Sequence, residues 1–379
     1  MKASIRLALA LAAACAAATA QADLTIGVSI SLTGPTSALG IPTKNGIALW
    51  PTTIAGEKLN VIVLDDATDP TKAVQNTRKF LTEDKVDLII GSTATPVAAA
   101  MADVAAEGQT VQLMLSPVNL PPGKGAWSFR MPQSTAVMAI PIVEHWKKTG
   151  VKSYGFLGYA DGYGEAWLTD IKPLAEKAGI KLVDVERFAR SDTAVTGQVL
   201  KLTSASPDAI LVVASGSGAA MPHKALVERG YPKTKIYQTH GAATMDLIRV
   251  GGADVEGAYV SSGPAVVAEK LPDSNVSKAL GVQFKNEFEK VNGKGSANQF
   301  AAHAYDVVLV LQKAVPIALK KARPGTPEFR AALKDAFETM GRTPVSQGVL
   351  NWTATDHFGY TPETGVLLRV VNGDWQVVH

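Results

Sequence analysis

The sequence contains one cysteine, Cys15, and it lies near the N-terminus. Residues 1–22 combine the basic residues Lys2 and Arg6, an apolar centre and the small-residue ending Ala20-Gln21-Ala22, which is typical of a secretory signal peptide. If cleavage follows Ala22, the mature chain has no thiol for disulfides, catalysis or metal binding. A lipoprotein interpretation of the stretch LAAAC is the alternative, although such sites usually place the leucine one residue closer to the cysteine.

Long apolar runs and an excess of one charge are also missing. After residue 22 no segment provides the roughly 20 uninterrupted apolar residues that a membrane span requires. Removing Lys2 and Arg6 with the leader lowers the formal net charge from +3 to +1. That balance argues against nucleic acid or an anionic membrane surface as the partner. We therefore expect a soluble, exported protein.

The common signatures of catalysis and of metal binding are absent as well. GPTSALG lacks the lysine of a phosphate-binding loop, no glycine-rich dinucleotide fingerprint follows the first apolar run, and SGSGAA (215–220) misses the spacing of a nucleophile elbow. The six histidines show no metal-ligand spacing. Asp65, Asp66 and Asp161 could be acid/base carboxylates, but we interpret them as cap or turn residues. We predict a protein that is not an enzyme and needs no cofactor or metal; an exported hydrolase is the enzyme alternative.

Without the leader, 357 of the 379 residues remain, more than one hydrophobic core usually organises, so we expect two domains. In the first half, apolar runs alternate with segments of helical period. The runs predict strands over 24–32, 58–66, 85–92 and 111–117, with helices over 44–55, 69–84 and 96–108. Asp69 followed by Pro70 is typical of a helix N-terminus. Strands without internal polar alternation indicate a parallel sheet covered on both faces.

A second series of the same kind begins near Ile140. It predicts strands over 153–159, 180–188, 208–215 and 235–240, separated by helices. Helical segments over 277–293, 298–322 and 327–341 follow, and Asn372-Gly373 predicts the turn of a closing hairpin. The expected fold is α/β, with two doubly wound, Rossmann-like lobes and a ligand cleft between the carboxyl ends of their strands.

Three strand-to-helix turns are candidate binding loops: GSTATP (91–96), LSPVN (115–119) and GYADGYGEAW (158–167). In the first, Ser92, Thr93 and Thr95 place hydroxyls beside the free amide groups of a helix that begins at Pro96. Such a helix N-terminus is suited to an anion, so a carboxylate would fit there. The alternative is that Thr95 only caps the helix.

The chain as a whole resembles a known family. The matching features are the leader, IGVSISLTGPTSALG, DDATDPTKAVQNTRKFLTEDKVDLIIG, the SP after the third apolar strand, DGYGEAW and AAHAYDVVLVL. Together they are similar to the periplasmic leucine/isoleucine/valine-type solute-binding proteins of ABC importers. The resemblance implies a type I periplasmic-binding fold with three hinge crossovers. It divides the chain into lobe 1 (23–139 plus 264–345) and lobe 2 (140–263 plus 346–379). It also implies a monomer that delivers a small ligand to a membrane permease.

The resemblance also carries over binding residues. In such proteins, hydroxyls and backbone amides of the first lobe hold a ligand carboxylate, and the corresponding residues are Ser92, Thr93, Ala94 and Thr95 on one turn and Ser116, Pro117 and Val118 on the next. Tyr163 would close over the ligand from the second lobe. Leu39 and Phe300 would supply apolar walls. Where amino-acid binders place a glutamate for the ligand ammonium, this sequence has His240.

His240 is the departure that indicates the ligand class. An ammonium requires an acceptor, preferably an anion, and a histidine is neutral or cationic near neutral pH. Ser215 begins a small-residue stretch where amino-acid binders tend to have another tyrosine. Both changes favour a flat carboxylate without an amine, as in subgroups that collect benzoate derivatives or phenylpropenoids. The alternatives are a branched-chain amino acid or amide receptor, a sensory module for a membrane receptor, and a His240 that is only hydrogen-bonded within its turn.

Overall fold

The computed structural model describes residues 23–378, so the expected leader lies outside the described residues. In chain order the strands are β1 (Leu24–Ile30), β2 (Thr53–Ile54), β3 (Glu57–Asp65), β4 (Leu88–Gly91), β5 (Gln112–Met114), β6 (Ser128–Arg130), β7 (Ser153–Tyr159), β8 (Lys181–Phe188), β9 (Ala209–Val213), β10 (Ile236–Gln238), β11 (Tyr259–Ser262), β12 (Thr343–Val345), β13 (Gly348–Leu350), β14 (Val366–Val371) and β15 (Asp374–Val377).

The α-helices, again in chain order, are α1 (Ser37–Ile47), α2 (Pro70–Thr82), α3 (Thr95–Glu107), α4 (Thr135–Lys148), α5 (Gly162–Lys177), α6 (Thr196–Ser204), α7 (Ala220–Glu228), α8 (Met245–Gly251), α9 (Lys278–Asn292), α10 (Gln299–Ala318) and α11 (Pro327–Thr339). Short 3-10 turns lie between them, including Gly216–Ala219 and His240–Ala242.

The strands form two separate main sheets, as the two series of alternating elements predicted. The first has the order β2-β3-β1-β4-β5-β6 and is parallel except for the short β2-β3 pair. The second has the order β15-β14-β11-β10-β9-β7-β8, with β14 and β15 added antiparallel at one edge. Helices cover both sheets, and the expected type I periplasmic-binding architecture is therefore present.

Local sequence signals explain most of the element boundaries. Asp69 caps α2, because its carboxylate accepts hydrogen bonds from the Thr71 and Lys72 amides at 2.7 and 3.4 Å. Asn298 caps α10 in the same way through the amides of Phe300 and Ala301. Helix α10 is long and apolar enough to cross a membrane by composition, but most of it is buried inside this protein.

The helix expected over 44–55 is wrong in position. Helix α1 begins earlier, at Ser37, and ends at Ile47. Residues 53–54 instead pair with β3 across a tight turn in which Ala55 and Gly56 have φ values of 53° and 88°. Pro51 has no backbone N–H to donate within a helix. Two successive residues with positive φ are also incompatible with a right-handed helix. The apolar residues of this segment therefore serve a hairpin.

Each of the two main sheets has its own hydrophobic core, and segments near the expected boundaries at 139/140 and 345/346 pack in one or the other. Met138 and Ala139 already pack in the second core, because α4 begins at Thr135 after the Ser134 cap. Conversely, Leu350, Trp352 and Tyr360 still pack in the first core. Val266, Val267 and Leu271, which follow β11, also pack in the second core.

Candidate functional site

A cavity lies between the lobes, where the carboxyl ends of their strands face each other. It leaves about 340 Å³ of space free of protein atoms, a volume that includes space open to solvent. The residues that line it are Leu39, Thr93, Thr95, Leu115, Ser116, Pro117, Pro132, Tyr163, Arg190, Ser215, His240, Gly241, Phe300 and His303. Most of the residues expected from the sequence are therefore brought together. Ser92, Ala94 and Val118 are buried but do not line the cavity.

Ser92 supports the first binding turn from behind. Its hydroxyl donates to the Asp66 carboxylate at 2.7 Å, and Ser31 donates to the same group at 2.6 Å. Burial raises the pKa of Asp66, whereas these two hydroxyls lower it. The Ser116 hydroxyl donates to the Ser92 carbonyl at 3.2 Å and so ties the second binding turn to the first. Ser92 thus shapes the turn from the side away from the cavity.

Thr93 and Thr95 are the hydroxyls of this turn that face the cavity. The alternative that Thr95 caps the helix is wrong, because Thr95 is the first helical residue and Ala94 occupies the N-cap without a side-chain bond. The first amides of a helix have no partner within it, and Pro96 has no N–H. The Thr93 hydroxyl is buried and has no hydrogen-bond partner among the described residues. This turn therefore presents donors to whatever occupies the cavity.

Tyr163 enters the cavity from the first turn of α5, which Asp161 caps at 2.8 Å from the Tyr163 amide. Its hydroxyl lies 2.9 Å from Thr239 Oγ1 and accepts a hydrogen bond from the Gly241 amide at 3.1 Å. Burial raises the pKa of Tyr163 to about 12, so the phenol is neutral. Tyr163 thereby holds the turn that carries His240.

His240 lies directly after β10, with 3% of its surface exposed. Neither ring nitrogen has a hydrogen-bond partner among the described residues, so the alternative of a histidine bonded within its own turn is wrong. The ring packs edge-on against Tyr163, with centroids 5.7 Å apart, and beside Trp167. Burial lowers the pKa of His240 to about 3, so the imidazole is neutral at physiological pH.

Sequence reasoning missed two polar residues of the cavity, Arg190 and His303. Arg190 follows β8, and its guanidinium bonds Asp161 at 2.6 Å and Ser215 Oγ at 3.1 Å. His303 lies on α10, 1% exposed, and burial lowers its pKa to about 3. The signals were available, because Arg190 is at the carboxyl end of a strand and His303 is three residues after Phe300, on the same helix face.

The charged side chains that line the cavity limit the ligands that it suits. No aspartate or glutamate is among the described residues that line it, and Arg190 is a cation at its wall. Leu39, Pro117 and Phe300 add apolar surface. Within residues 23–378 no group of three or more histidine, cysteine, aspartate or glutamate side chains could hold a metal ion. The geometry therefore suits a small, partly apolar molecule that accepts hydrogen bonds.

Known proteins share the fold of this chain. The family model described as periplasmic binding protein matches residues 23–374. An extracellular ligand-binding receptor from Rhodopseudomonas palustris is 46% identical, with 94% of this chain and 99% of that chain covered and a TM-score of 0.92. A leucine-binding protein from Thermotoga maritima is 21% identical over 94% and 98% of the two chains, with a TM-score of 0.79. A solute-binding protein from R. palustris in complex with benzoate is 18% identical over 94% and 96%, with a TM-score of 0.77. A search of curated proteins gave no match.

Proposed function

This chain belongs to the periplasmic binding protein family of the leucine/isoleucine/valine type, and we propose that it captures a small carboxylate, specifically an aromatic acid such as a benzoate or phenylpropenoid derivative. The leader at 1–22 would export the protein to the periplasm. The lobes would close around the ligand, and the closed protein would deliver it to the permease of an ABC importer.

One observation carries the proposal: a cavity lined by Arg190 and by hydroxyl and amide donors, with no carboxylate among its described residues. A buried ammonium without an anionic or strong acceptor partner is costly, whereas a carboxylate needs donors for each oxygen. Thr93, Thr95 and Ser116 would provide those donors from the first lobe. Arg190 would supply the opposite charge from the second.

The apolar part of the cavity supports an aromatic rather than a compact aliphatic acid. Leu39 and Phe300 of the first lobe provide walls for a ring. On the side of the second lobe, Ser215 lines the cavity with a small side chain. Burial of a flat ring between such walls contributes roughly 25 cal/mol for each Å² of apolar surface removed from water.

The experiment is a thermal-shift and calorimetric panel with the mature protein. Benzoate, cinnamate, their uncharged amides benzamide and cinnamamide, and leucine are the ligands. A ligand that binds only the folded state raises its Tm, so we expect an aromatic acid to raise it while its amide and leucine do not. A Tm increase with leucine alone, or equal binding of acid and amide, would contradict the proposal.

A matched pair of variants tests the first-lobe turn. Thr93→Val keeps the shape of the side chain and removes its unpartnered hydroxyl, and we expect it to weaken aromatic-acid binding by about 1 to 3 kcal/mol. Thr77→Val is the control, because Thr77 is buried in the same lobe but its hydroxyl bonds the Ala73 carbonyl at 2.7 Å, away from the cavity. Equal affinity of both variants and the wild type would remove Thr93 from the site.

A further inference from the structure

Two histidines from opposite lobes line the cavity, and within residues 23–378 none of their ring nitrogens has a hydrogen-bond partner. His240 comes from the second lobe and His303 from α10 of the first. Both line the cavity, both are nearly inaccessible to solvent, and neither imidazole ring makes a hydrogen bond to the described residues. They are also close enough that a charge on His240 lowers the pKa of His303. Buried polar groups in native proteins are almost always hydrogen-bonded, so these nitrogens require a partner.

The chemistry of neutral imidazole restricts what that partner can be. Each ring has one N–H donor and one bare nitrogen that accepts. A carboxylate only accepts, so it could pair with the N–H group of each ring but would leave the bare nitrogen of each ring without a donor. A hydroxyl both accepts and donates. One hydroxyl between the rings can accept from the N–H of one histidine and donate to the bare nitrogen of the other, so it pairs with one nitrogen of each ring and can use both types of nitrogen.

We propose that His240 and His303 form a binding subsite for an uncharged hydroxyl, so that the ligand is an acid that also carries a hydroxyl group. This inference rests on the proposed function, because it adds a second polar group to the carboxylate proposed above. The carboxylate would face Arg190 and the Thr93–Thr95 turn, and the hydroxyl would lie between the two rings. Because the rings belong to different lobes, the hydroxyl would be enclosed on both sides only when the lobes are closed.

This arrangement would also give selectivity. A site built to hydrogen-bond a substrate hydroxyl rejects the analogue that lacks it, because the buried polar groups of the site are then left unpaired. An acid without the hydroxyl would therefore bind, through its carboxylate and ring, but more weakly. A methoxy group would accept from one ring without donating to the other, and its extra methyl would have to be accommodated.

The experiment compares matched acids in isothermal titration calorimetry. Benzoate and cinnamate are titrated against their 3- and 4-hydroxy and 4-methoxy derivatives, using the wild type, His303→Leu, His240→Leu and the control His145→Phe. His145 lies in the second lobe, bonds Tyr237 at 2.8 Å and does not line the cavity. We expect at least one hydroxy acid to bind tenfold or more tightly than its parent in the wild type and the control. Each leucine variant should reduce that ratio to about one.

The outcomes separate the two proposals. If the parent acids bind but no hydroxyl changes the affinity, or if the ratio survives in both leucine variants, the hydroxyl subsite is wrong and carboxylate capture stands. If no acid binds, both proposals are wrong. Should a leucine variant fail to fold, calorimetric titrations of the wild type at pH 7 in phosphate and in Tris test the subsite instead. The difference in heat between the two buffers gives the number of protons taken up on binding. Uptake of about one proton on binding would mean that the ligand carboxylate pairs with a charged imidazole, and this result would overturn the hydroxyl subsite. No proton uptake, together with tighter binding of the hydroxy acid, would support the subsite.

Discussion

Gln299 and His240 are joined across the cleft: the side-chain amide of Gln299, at the start of α10, donates to the backbone carbonyl of His240. The first residue belongs to lobe 1 and the second to lobe 2. Gln299 itself does not line the cavity. The bond therefore joins the two lobes in this structure without being part of the proposed ligand contacts.

Removing this bond should weaken ligand binding indirectly. Gln299→Leu keeps the approximate volume of the side chain and removes the donor, so we expect the closed form to lose about 1 kcal/mol and the Kd for an aromatic acid to rise roughly fivefold. Calorimetry measures the Kd, and small-angle scattering of the free and bound protein reports closure. Gln283→Leu is the control, because the amide of Gln283 bonds only Glu287 on the exposed face of α9. An unchanged Kd for Gln299→Leu would show that the bond does not limit closure.

Gly216 is a second contact between the lobes, and its size sets how closely they approach. A Cβ added to Gly216 would lie 2.9 Å from Leu39 Cδ1 and 3.0 Å from Ala38 Cβ on the other lobe. Its φ of 54° also disfavours any larger residue. We expect Gly216→Ala to lower both the Tm and the affinity for an aromatic acid.

A second glycine serves as the control that separates backbone strain from a steric clash between the lobes. Gly179 also has a positive φ, 75°, but an added Cβ there meets nothing within 4 Å. Gly179→Ala should lower the Tm, by the cost of a left-handed alanine of roughly 1 kcal/mol, and leave the Kd unchanged. If Gly216→Ala binds as tightly as Gly179→Ala, the lobes do not close against residue 216.

The sequence predicted the architecture well because the repeated buried strands have few alternative arrangements. An apolar run such as Leu24–Ile30, followed by a helical segment, fits only a covered parallel sheet. The packing of the segment after β13 could not be predicted in the same way, since Trp352 and Tyr360 pack back into the first core. Local periodicity contains no information about such long-range contacts.

Some of the cavity residues could likewise be predicted from the sequence, and others could not. Residues at strand ends, such as Thr93 and His240, could be proposed from position alone. Whether a side chain faces the cavity depends on tertiary contacts, and Ser92 turns away because buried Asp66 accepts its hydroxyl. His303 lies in a helix that reads as uniformly apolar core, so only its distance along the face from Phe300 indicated a role. Arg190 required knowledge of the Asp161 contact that directs it.

His223 gives a prediction about acid stability that does not depend on lobe closure. It is buried in the second lobe, with Nε2 3.0 Å from the Asp254 carbonyl and Nδ1 3.3 Å from Gln238 Nε2. Burial lowers its pKa to about 4. The unfolded chain therefore binds the proton first, and stability is lost as the pH falls from about 6.5, the unfolded value, towards 4.

The wild type should thus lose up to about 1.4 kcal/mol per pH unit from this histidine in that window, a loss that His223→Gln cannot have. His223→Gln should be less stable than the wild type at pH 7, and the difference should shrink by pH 4.5. Urea unfolding at several pH values measures it. Thr77→Val is the control and should keep the pH slope of the wild type. A constant gap between wild type and His223→Gln would mean that His223 is not held neutral.

Arg190 is the residue on which the charge of the ligand depends. Its guanidinium is only 12% exposed, lies over the Tyr159 ring at 4.1 Å and bonds Asp161 and Ser215, so it is held rigidly at the cavity wall. Arg190→Gln should weaken binding of an aromatic acid at least tenfold, because a partly buried carboxylate loses its counter-charge. Binding of the corresponding amide, if detectable, should change much less.

The neighbouring Arg187 provides the control for Arg190. It forms an ion pair with Glu165 at 2.5 Å, but its side chain is 42% exposed and does not line the cavity. Exposed pairs of this kind contribute little, so Arg187→Gln should leave both Tm and Kd nearly unchanged. Arg190→Gln also leaves Asp161 without its cation, and the double variant Asp161→Asn/Arg190→Gln removes that charge as well. If the double variant binds the acid as the wild type does, Arg190 does not recognise the carboxylate and the anion must be held by the first-lobe turn alone.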